Sequence, residues 1–160
     1  MLFRSRLEVG NIRNIALVGH GAVGKTTLVD ALLFHAKAVS RKGSVDDGSS
    51  VLDYDDEEKS RKYSIDSALA FLDWKGKRFQ FIDCPGYPDF MSQAIAALHN
   101  IETAAVVIDA HRGIEVNTRR MFQEAGEALV ARVIILNKLD GENIDFPGLI
   151  DRIDRKSTRL

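Results

Sequence analysis

Gly19-His20-Gly21-Ala22-Val23-Gly24-Lys25-Thr26 lies between an apolar run, Ile15-Ala16-Leu17-Val18, and a helical pattern that begins at Lys25. The octet satisfies G-x-x-x-x-G-K-[ST] in full. Glycines let the backbone curl so that successive N–H groups point inward, and the helix start adds the positive end of its dipole. A loop of this kind cradles phosphates. Gly19, His20, Gly21, Ala22, Val23 and Gly24 would form the cradle, Lys25 would reach the β- and γ-phosphates, and Thr26, followed by Thr27, would offer a hydroxyl to Mg²⁺. At average residue usage the octet arises by chance in roughly one chain of this length in a few hundred.

Outward from the loop, apolar runs alternate with helical patterns. Residues 12–18 read as a strand buried on both faces, and residues 25–37 as a helix with Leu28, Ala31, Leu32 and His35 on one side. Residues 65–74 and 78–82 read as a hairpin turning at Lys75-Gly76. Residues 89–100, 115–129 and 146–155 read as helices, and residues 104–109 and 132–136 as strands. The order β-α-β-β-α-β-α-β-α predicts an α/β fold: a mostly parallel sheet with one antiparallel strand and helices on both faces. Residues 38–63 break the pattern. They are polar, rich in Gly, Ser and Asp, and weakly periodic, and a loop this long is usually functional.

Two further motifs stand at strand ends, where the crevice of a parallel α/β sheet lies. Asp83 closes the strand Phe79-Gln80-Phe81-Ile82 and opens Asp83-Cys84-Pro85-Gly86, a D-x-x-G. Asp83 is placed to hold Mg²⁺ through water, and the Gly86 N–H to bond a γ-phosphate and sense its presence. Asn137-Lys138-Leu139-Asp140 follows Val133-Ile134-Ile135-Leu136 and reads N-K-x-D. The Asp140 carboxylate can accept from both the ring N–H and the amino group of guanine, a donor pair that adenine lacks. A site built that way can discriminate by roughly 10⁴. Asn137 can bond the base edge and the loop backbone, and the Lys138 stem can cover the base face. GTP is therefore expected over ATP. A P-loop ATPase or kinase, the competing class, would let ATP compete and would leave base preference unchanged in an Asp140→Asn variant.

Composition bounds the rest. The chain has 160 residues, 22 Lys plus Arg, 23 Asp plus Glu and a net charge of −1, which argues against direct nucleic-acid binding by this domain through bulk charge. One cysteine, Cys84, excludes an intramolecular disulfide and a C-x-x-C metal site. No apolar run approaches the ~18 residues of a membrane span, and Met1 to Arg6 shows no signal-peptide pattern. A reducing, cytoplasmic setting and no membrane partner are expected.

Taken together, the three motifs resemble those of the P-loop GTPases. The wording Arg13-Asn14-Ile15-Ala16-Leu17-Val18-Gly19-His20 with Gly24-Lys25-Thr26-Thr27-Leu28 is similar to translational GTPases, above all elongation factor G and its elongation factor G-like paralogues. Asp83-Cys84-Pro85-Gly86-Tyr87-Pro88-Asp89-Phe90 resembles their D-T-P-G-[HY]-x-D-F. Asp109-Ala110 with Gly113-Ile114 and Asn117-Thr118 also fits, as does the continuation of N-K-x-D by Asn143, Asp145 and Phe146. The resemblance covers about residues 11–153 and implies a GTP-binding and hydrolysing switch with GTP/GDP and Mg²⁺ as ligands. It implies a first switch over residues 38–64 and a second over 84–92. Lys25, Gly86 and Tyr87 would be catalytic, and Thr26, Ser64 and Asp83 would ligate or serve the metal.

Three departures carry consequences. The family's water-positioning His is Tyr87, which favours the G-like paralogues and opens a second reading, a GTP/GDP-binding module with little hydrolysis. The family's switch threonine falls near Ser64, which keeps the hydroxyl. The acidic or polar phosphate-loop residue is Ala22, which weakens a monovalent-cation site. The fifth GTPase motif is missing after N-K-x-D, and Ser67-Ala68-Leu69, which spells it, lies upstream on a strand. The 160 residues are thus expected to be a partial G domain, the N-terminal fragment of a longer protein whose other domains would meet the ribosome. An apolar stripe should then stay uncovered on the sheet, with marginal stability and weakened guanine binding for the isolated chain.

Blander readings fit the remaining features. The acidic run 53–58 reads as solvated. His35, His99 and His111 lack partner spacing, Cys84 reads as a packing residue, and Trp74 as a strand-end core aromatic. His20 either lines the phosphate pocket or packs. The basic tail 155–160 reads as frayed or non-native.

Overall fold

A computed structural model describes residues 8–157. The readings placed on residues 1–6 and on the tail beyond residue 157 lie outside the described residues. Among the described residues, five strands form one sheet: β1 (Ile12–Gly19), β2 (Ala68–Trp74), β3 (Lys77–Asp83), β4 (Thr103–Asp109) and β5 (Ala131–Asn137). Their order across the sheet is β2-β3-β1-β4-β5. Of these pairs β2–β3 alone is antiparallel, joined at Lys75-Gly76, both of which have positive φ, as a two-residue hairpin of matching twist requires. Between the strands lie α1 (Lys25–His35), α2 (Asp56–Arg61), α3 (Met91–Leu98) and α4 (Val116–Glu127), and α5 (Phe146–Ser157) follows β5.

Strand alternation sorts the core into layers. On one face Ala16, Val18, Ala104 and Val106 pack against Met91, Ala94 and Leu98 of α3 and Met121 and Ala125 of α4. At the β5 end of the sheet, α5 adds Leu149 and Ile153 against Ile108, Ile134 and Leu136. On the opposite face Leu17, Phe81, Ala105 and Val107 meet Val29 and Leu33 of α1. The continuous apolar runs of β1 and β4 are explained by this cover on both sides, and it confirms the α/β class with helices on both faces.

That second face is incompletely covered. An apolar trough of about 580 Å³ runs along it, floored by Ile15, Leu17, Phe79, Phe81, Ala105, Val133 and Ile135 and walled by Leu28 and Leu32 of α1. An uncovered stripe was expected here, and the trough is that stripe. Trp74, expected in the core, stands at its rim and is 50% exposed, at the last residue of the edge strand β2.

The polar segment 38–63 is not the solvated loop its acidity implies. It contains α2, whose capping box pairs the Asp55 side chain with the Glu57 N–H and the Glu58 side chain with the Asp55 N–H. Asp53 and Glu58 are each 2% exposed. Glu58 Oε1 also accepts from the Ile65 and Asp66 amides, at 2.8 and 3.0 Å. Part of the acidic run therefore serves the backbone of its own loop, where buried amides must find acceptors.

Candidate functional site

The carboxyl ends of β1, β3, β4 and β5 meet on one side of the sheet, and a cleft of about 280 Å³ opens there. Gly21, Ala22, Gly24, Lys25, Thr26 and Thr27 line it from the β1–α1 loop, Ser64 from the segment after α2, Gly86 and Tyr87 from the loop after β3, and Lys138 from the loop after β5. Val45, Asp46, Lys62 and Tyr63 line it too. Nothing in their residue types marked these four, because the folding of segment 38–64 back across the loop places them.

The phosphate loop is held from outside. Gly24 has φ +92°, a left-handed backbone that glycine tolerates without strain, and a Cβ there would meet Asn137 Nδ2 at 2.5 Å. Asn137 Nδ2 donates to the Val23 carbonyl at 2.8 Å. Lys138 Nζ donates to the Ala22 carbonyl at 2.8 Å and pairs with Asp109 at 2.9 Å. Arg112 donates to the Gly21 carbonyl at 3.1 Å and pairs with Glu115 at 2.6 Å. His20 turns its ring to Glu115, 3.5 Å away, and is not among the cleft-lining residues, so its side chain packs against the start of α4. The Gly21, Ala22 and Val23 carbonyls are thus engaged, and successive N–H groups of a loop of this kind can form an anion-binding concavity.

Lys25, Thr26 and Asp83 form the charged floor. Lys25 Nζ donates to the His20 carbonyl at 2.9 Å. Burial holds the Lys25 ammonium below its ordinary range, with Asp83 pulling the other way. Thr26 Oγ1 donates to Asp83 Oδ2 at 2.5 Å and lies 3.2 Å from Ser64 Oγ, and Ser64 reaches Asp53 at 3.3 Å. Burial pushes the Asp83 carboxyl up to about 6, and nearby Lys25 limits the rise. Its other oxygen, Oδ1, is buried without a hydrogen-bond partner. Such an atom calls for a cation or an ordered water.

Above this floor lies Tyr87. Its ring rests against Gly21, where a Cβ would come within 2.9 Å of the ring, and against Tyr63 at a centroid separation of 4.7 Å. Beside it, Cys84 is fully buried and its thiol is pushed up to about 12 by burial, as fits a packing residue. His35, His99 and His111 lie on the surface. Asp140 is exposed, two residues after Lys138, and is not among the residues lining the cleft. Ser67-Ala68-Leu69 runs into the edge strand β2, away from the β5 end where a base would sit.

The sequence model of the elongation factor Tu GTP binding domain matches residues 10–159. The chain belongs to this family. Over 137 residues it is 39% identical to the elongation factor G-like protein of Mycobacterium tuberculosis, covering 86% of this chain and 19% of that one. It is 35% identical over 148 residues to the mitochondrial ribosome-releasing factor 2 of Rattus norvegicus, covering 92% and 19% of the two chains. A crystal structure of a Thermus thermophilus protein superposes with a TM-score of 0.87 at 35% identity, over 90% of this chain and 22% of that one. The chain thus spans about a fifth of the length of these relatives. The expected resemblance to the elongation factor G branch is borne out, and the fold is that of its G domain.

Proposed function

We propose that this G domain binds GTP and GDP with Mg²⁺ and hydrolyses GTP, as the nucleotide switch of an elongation factor G-like translational GTPase. The observation that carries the proposal is the convergence on one cleft of Lys25, Thr26, Gly86, Tyr87 and Lys138 from separate segments of the chain. Gly19 to Thr27 would cradle the phosphates, and Asp140, with Asn137 and Lys138 behind it, would read guanine. Residues 38–64 and 84–92 would be the two switches.

The residues fit a divalent cation. Among the described residues no group of three or more His, Cys, Asp or Glu is placed to hold a metal alone. Hydroxyls and a carboxylate do converge, however, and Asp83 keeps one buried oxygen unpartnered. Thr26, with Asp83 and Ser64, would hold Mg²⁺, which supplies charge neutralisation on the phosphates when bound. Lys25 would stabilise the charge that develops there, its ammonium already stripped of water. Gly86 would sense the γ-phosphate and Tyr87 would orient the attacking water.

A second reading is favoured by the Tyr63–Tyr87 contact. A tyrosine whose ring is held by a neighbouring ring, in place of the family's histidine, suits a binding module with little hydrolysis. A single-turnover GTP assay of the wild type and of Tyr87→His separates the two. Slow turnover that rises in the variant supports the enzyme, whereas no turnover in either with tight binding retained leaves only the module. We also propose that ribosome contact is made through parts of the longer protein beyond this G domain, and that the protein is cytoplasmic. No helix among the described residues is long and apolar enough to cross a membrane.

A further inference from the structure

We propose that Asn117 is a positioning residue that holds the second switch in its nucleotide-facing arrangement, and so sets how strongly the site distinguishes GTP from GDP. The proposal rests on the reading of the cleft as a guanine-nucleotide site. Asn117 is the second residue of α4 and is 5% exposed. Its side-chain Nδ2 donates to the Gly86 carbonyl at 2.9 Å, 31 residues away in sequence. The bond therefore joins a loop to a well-anchored helix, since Thr118, Met121 and Ala125 of α4 are also buried.

Gly86 is held from its other side as well. A Cβ at this position would come within 2.5 Å of both the His20 carbonyl oxygen and Lys25 Nζ, so the backbone lies directly against the phosphate loop. The carbonyl that Asn117 grips belongs to the peptide shared by Gly86 and Tyr87. One hydrogen bond thus fixes the residue whose N–H would face a γ-phosphate and the backbone of the tyrosine above it. Asn117 is not among the residues lining the cleft. It acts through Gly86.

The consequence is a population shift. A ligand that bonds the Gly86 N–H gains when that segment is docked, whereas a ligand ending at the β-phosphate gains nothing from it. Loss of the Asn117 donor should weaken binding of a GTP analogue about threefold to tenfold, the worth of one buried amide–carbonyl hydrogen bond. GDP binding should stay within about twofold.

The experiment is titration of the full chain with GDP and with a non-hydrolysable GTP analogue in Mg²⁺, for wild type, Asn117→Ala and Asn117→Asp. Aspartate keeps the shape but presents only acceptors to the carbonyl, so its ratio should fall at least as far as that of alanine. An unchanged GTP-to-GDP ratio with GDP binding intact overturns the proposal. If either variant melts before titration, hydrogen exchange at the Asn117 side-chain amide of the wild type decides. Slower exchange with the GTP analogue than with GDP is expected, and equal exchange overturns the proposal. A wild type that binds neither nucleotide overturns the reading of the cleft, and this inference with it.

Discussion

Asn137 and Val23 stand 114 residues apart, yet the Asn137 side-chain amide donates to the Val23 carbonyl at 2.8 Å. The end of β5 is thereby tied to the phosphate loop, and a nucleotide bridging the proposed base reader and phosphate cradle would meet a distance that this bond helps to set. Asn137→Ala should therefore weaken GDP and GTP alike, by roughly threefold to tenfold for a lost part-buried bond of ~1 kcal/mol. Nucleotide titration checks this. A change in the GTP-to-GDP ratio would show that Asn137 acts on the γ-phosphate side instead.

Tyr63 and Tyr87 join segment 38–64, the proposed first switch, to segment 84–92, the proposed second, through ring contact. Tyr63→Ala should free both segments and raise the GDP dissociation rate several-fold, given ~0.5–1.5 kcal/mol for an aromatic pair. Tyr63→Phe should leave that rate nearly unchanged, because the contact uses the ring. Stopped-flow release of a fluorescent GDP analogue measures both.

Asp30, within α1, is fully buried, and its Oδ2 has no hydrogen-bond partner. Burial raises its carboxyl above the ordinary range, and the Ser50 hydroxyl and the Val51 amide pull it back. A raised carboxylate binds its proton more tightly folded than unfolded, so the cost of its charge is present above the folded value and is relieved as pH falls toward the unfolded value, near 4. Asp30→Asn keeps the acceptor toward Ser50 and Val51 and removes the charge. It should stabilise the nucleotide-free chain at pH 7.5 by about 1 kcal/mol, the low end for a buried unsatisfied group, and by less at pH 5. Thermal melts at the two pH values test the sign.

The apolar trough beside α1 should bind a hydrophobic dye such as anilinonaphthalene sulfonate. Trp74 at the rim gives a local readout through energy transfer to the dye. Leu32→Ser, at a partly exposed position on the trough wall, should reduce dye fluorescence at least twofold with little loss of fold. Dye binding unaffected by the substitution would place the exposed apolar surface elsewhere.

The chemistry-bearing motifs were legible because each is local. Gly19 to Thr26 needs a strand before it and a helix after it, and both follow from short-range periodicity. Asp83 and Asn137 were found as residues that end apolar strands, and parallel packing brings strand ends together. The packing of residues 38–64 was not legible. The burial of Glu58 depends on which amides of 55–66 lack partners, and Asp53 accepts from the Ser64 hydroxyl, tertiary facts that acidity alone reverses. Trp74 misled because an aromatic at a strand end is buried only if a helix crosses it. Arg112, Glu115 and Asn117 belong to a segment recognised by wording, and their work on the Gly21 and Gly86 carbonyls shows only once β4 lies beside β1.

Guanine recognition by Asp140 is the central claim, and competition binding tests it most directly. Wild type and Asp140→Asn are each loaded with a fluorescent GDP analogue and challenged with GTP, ATP and xanthosine triphosphate. In the wild type, GTP should displace the probe and ATP should fail even at ~1,000-fold higher concentration. Asparagine presents a donor where guanine also presents one, so the variant should lose GTP and gain xanthosine triphosphate, whose base carries a carbonyl there. ATP displacing the probe as readily as GTP, or a variant with unchanged guanine preference, would contradict the claim.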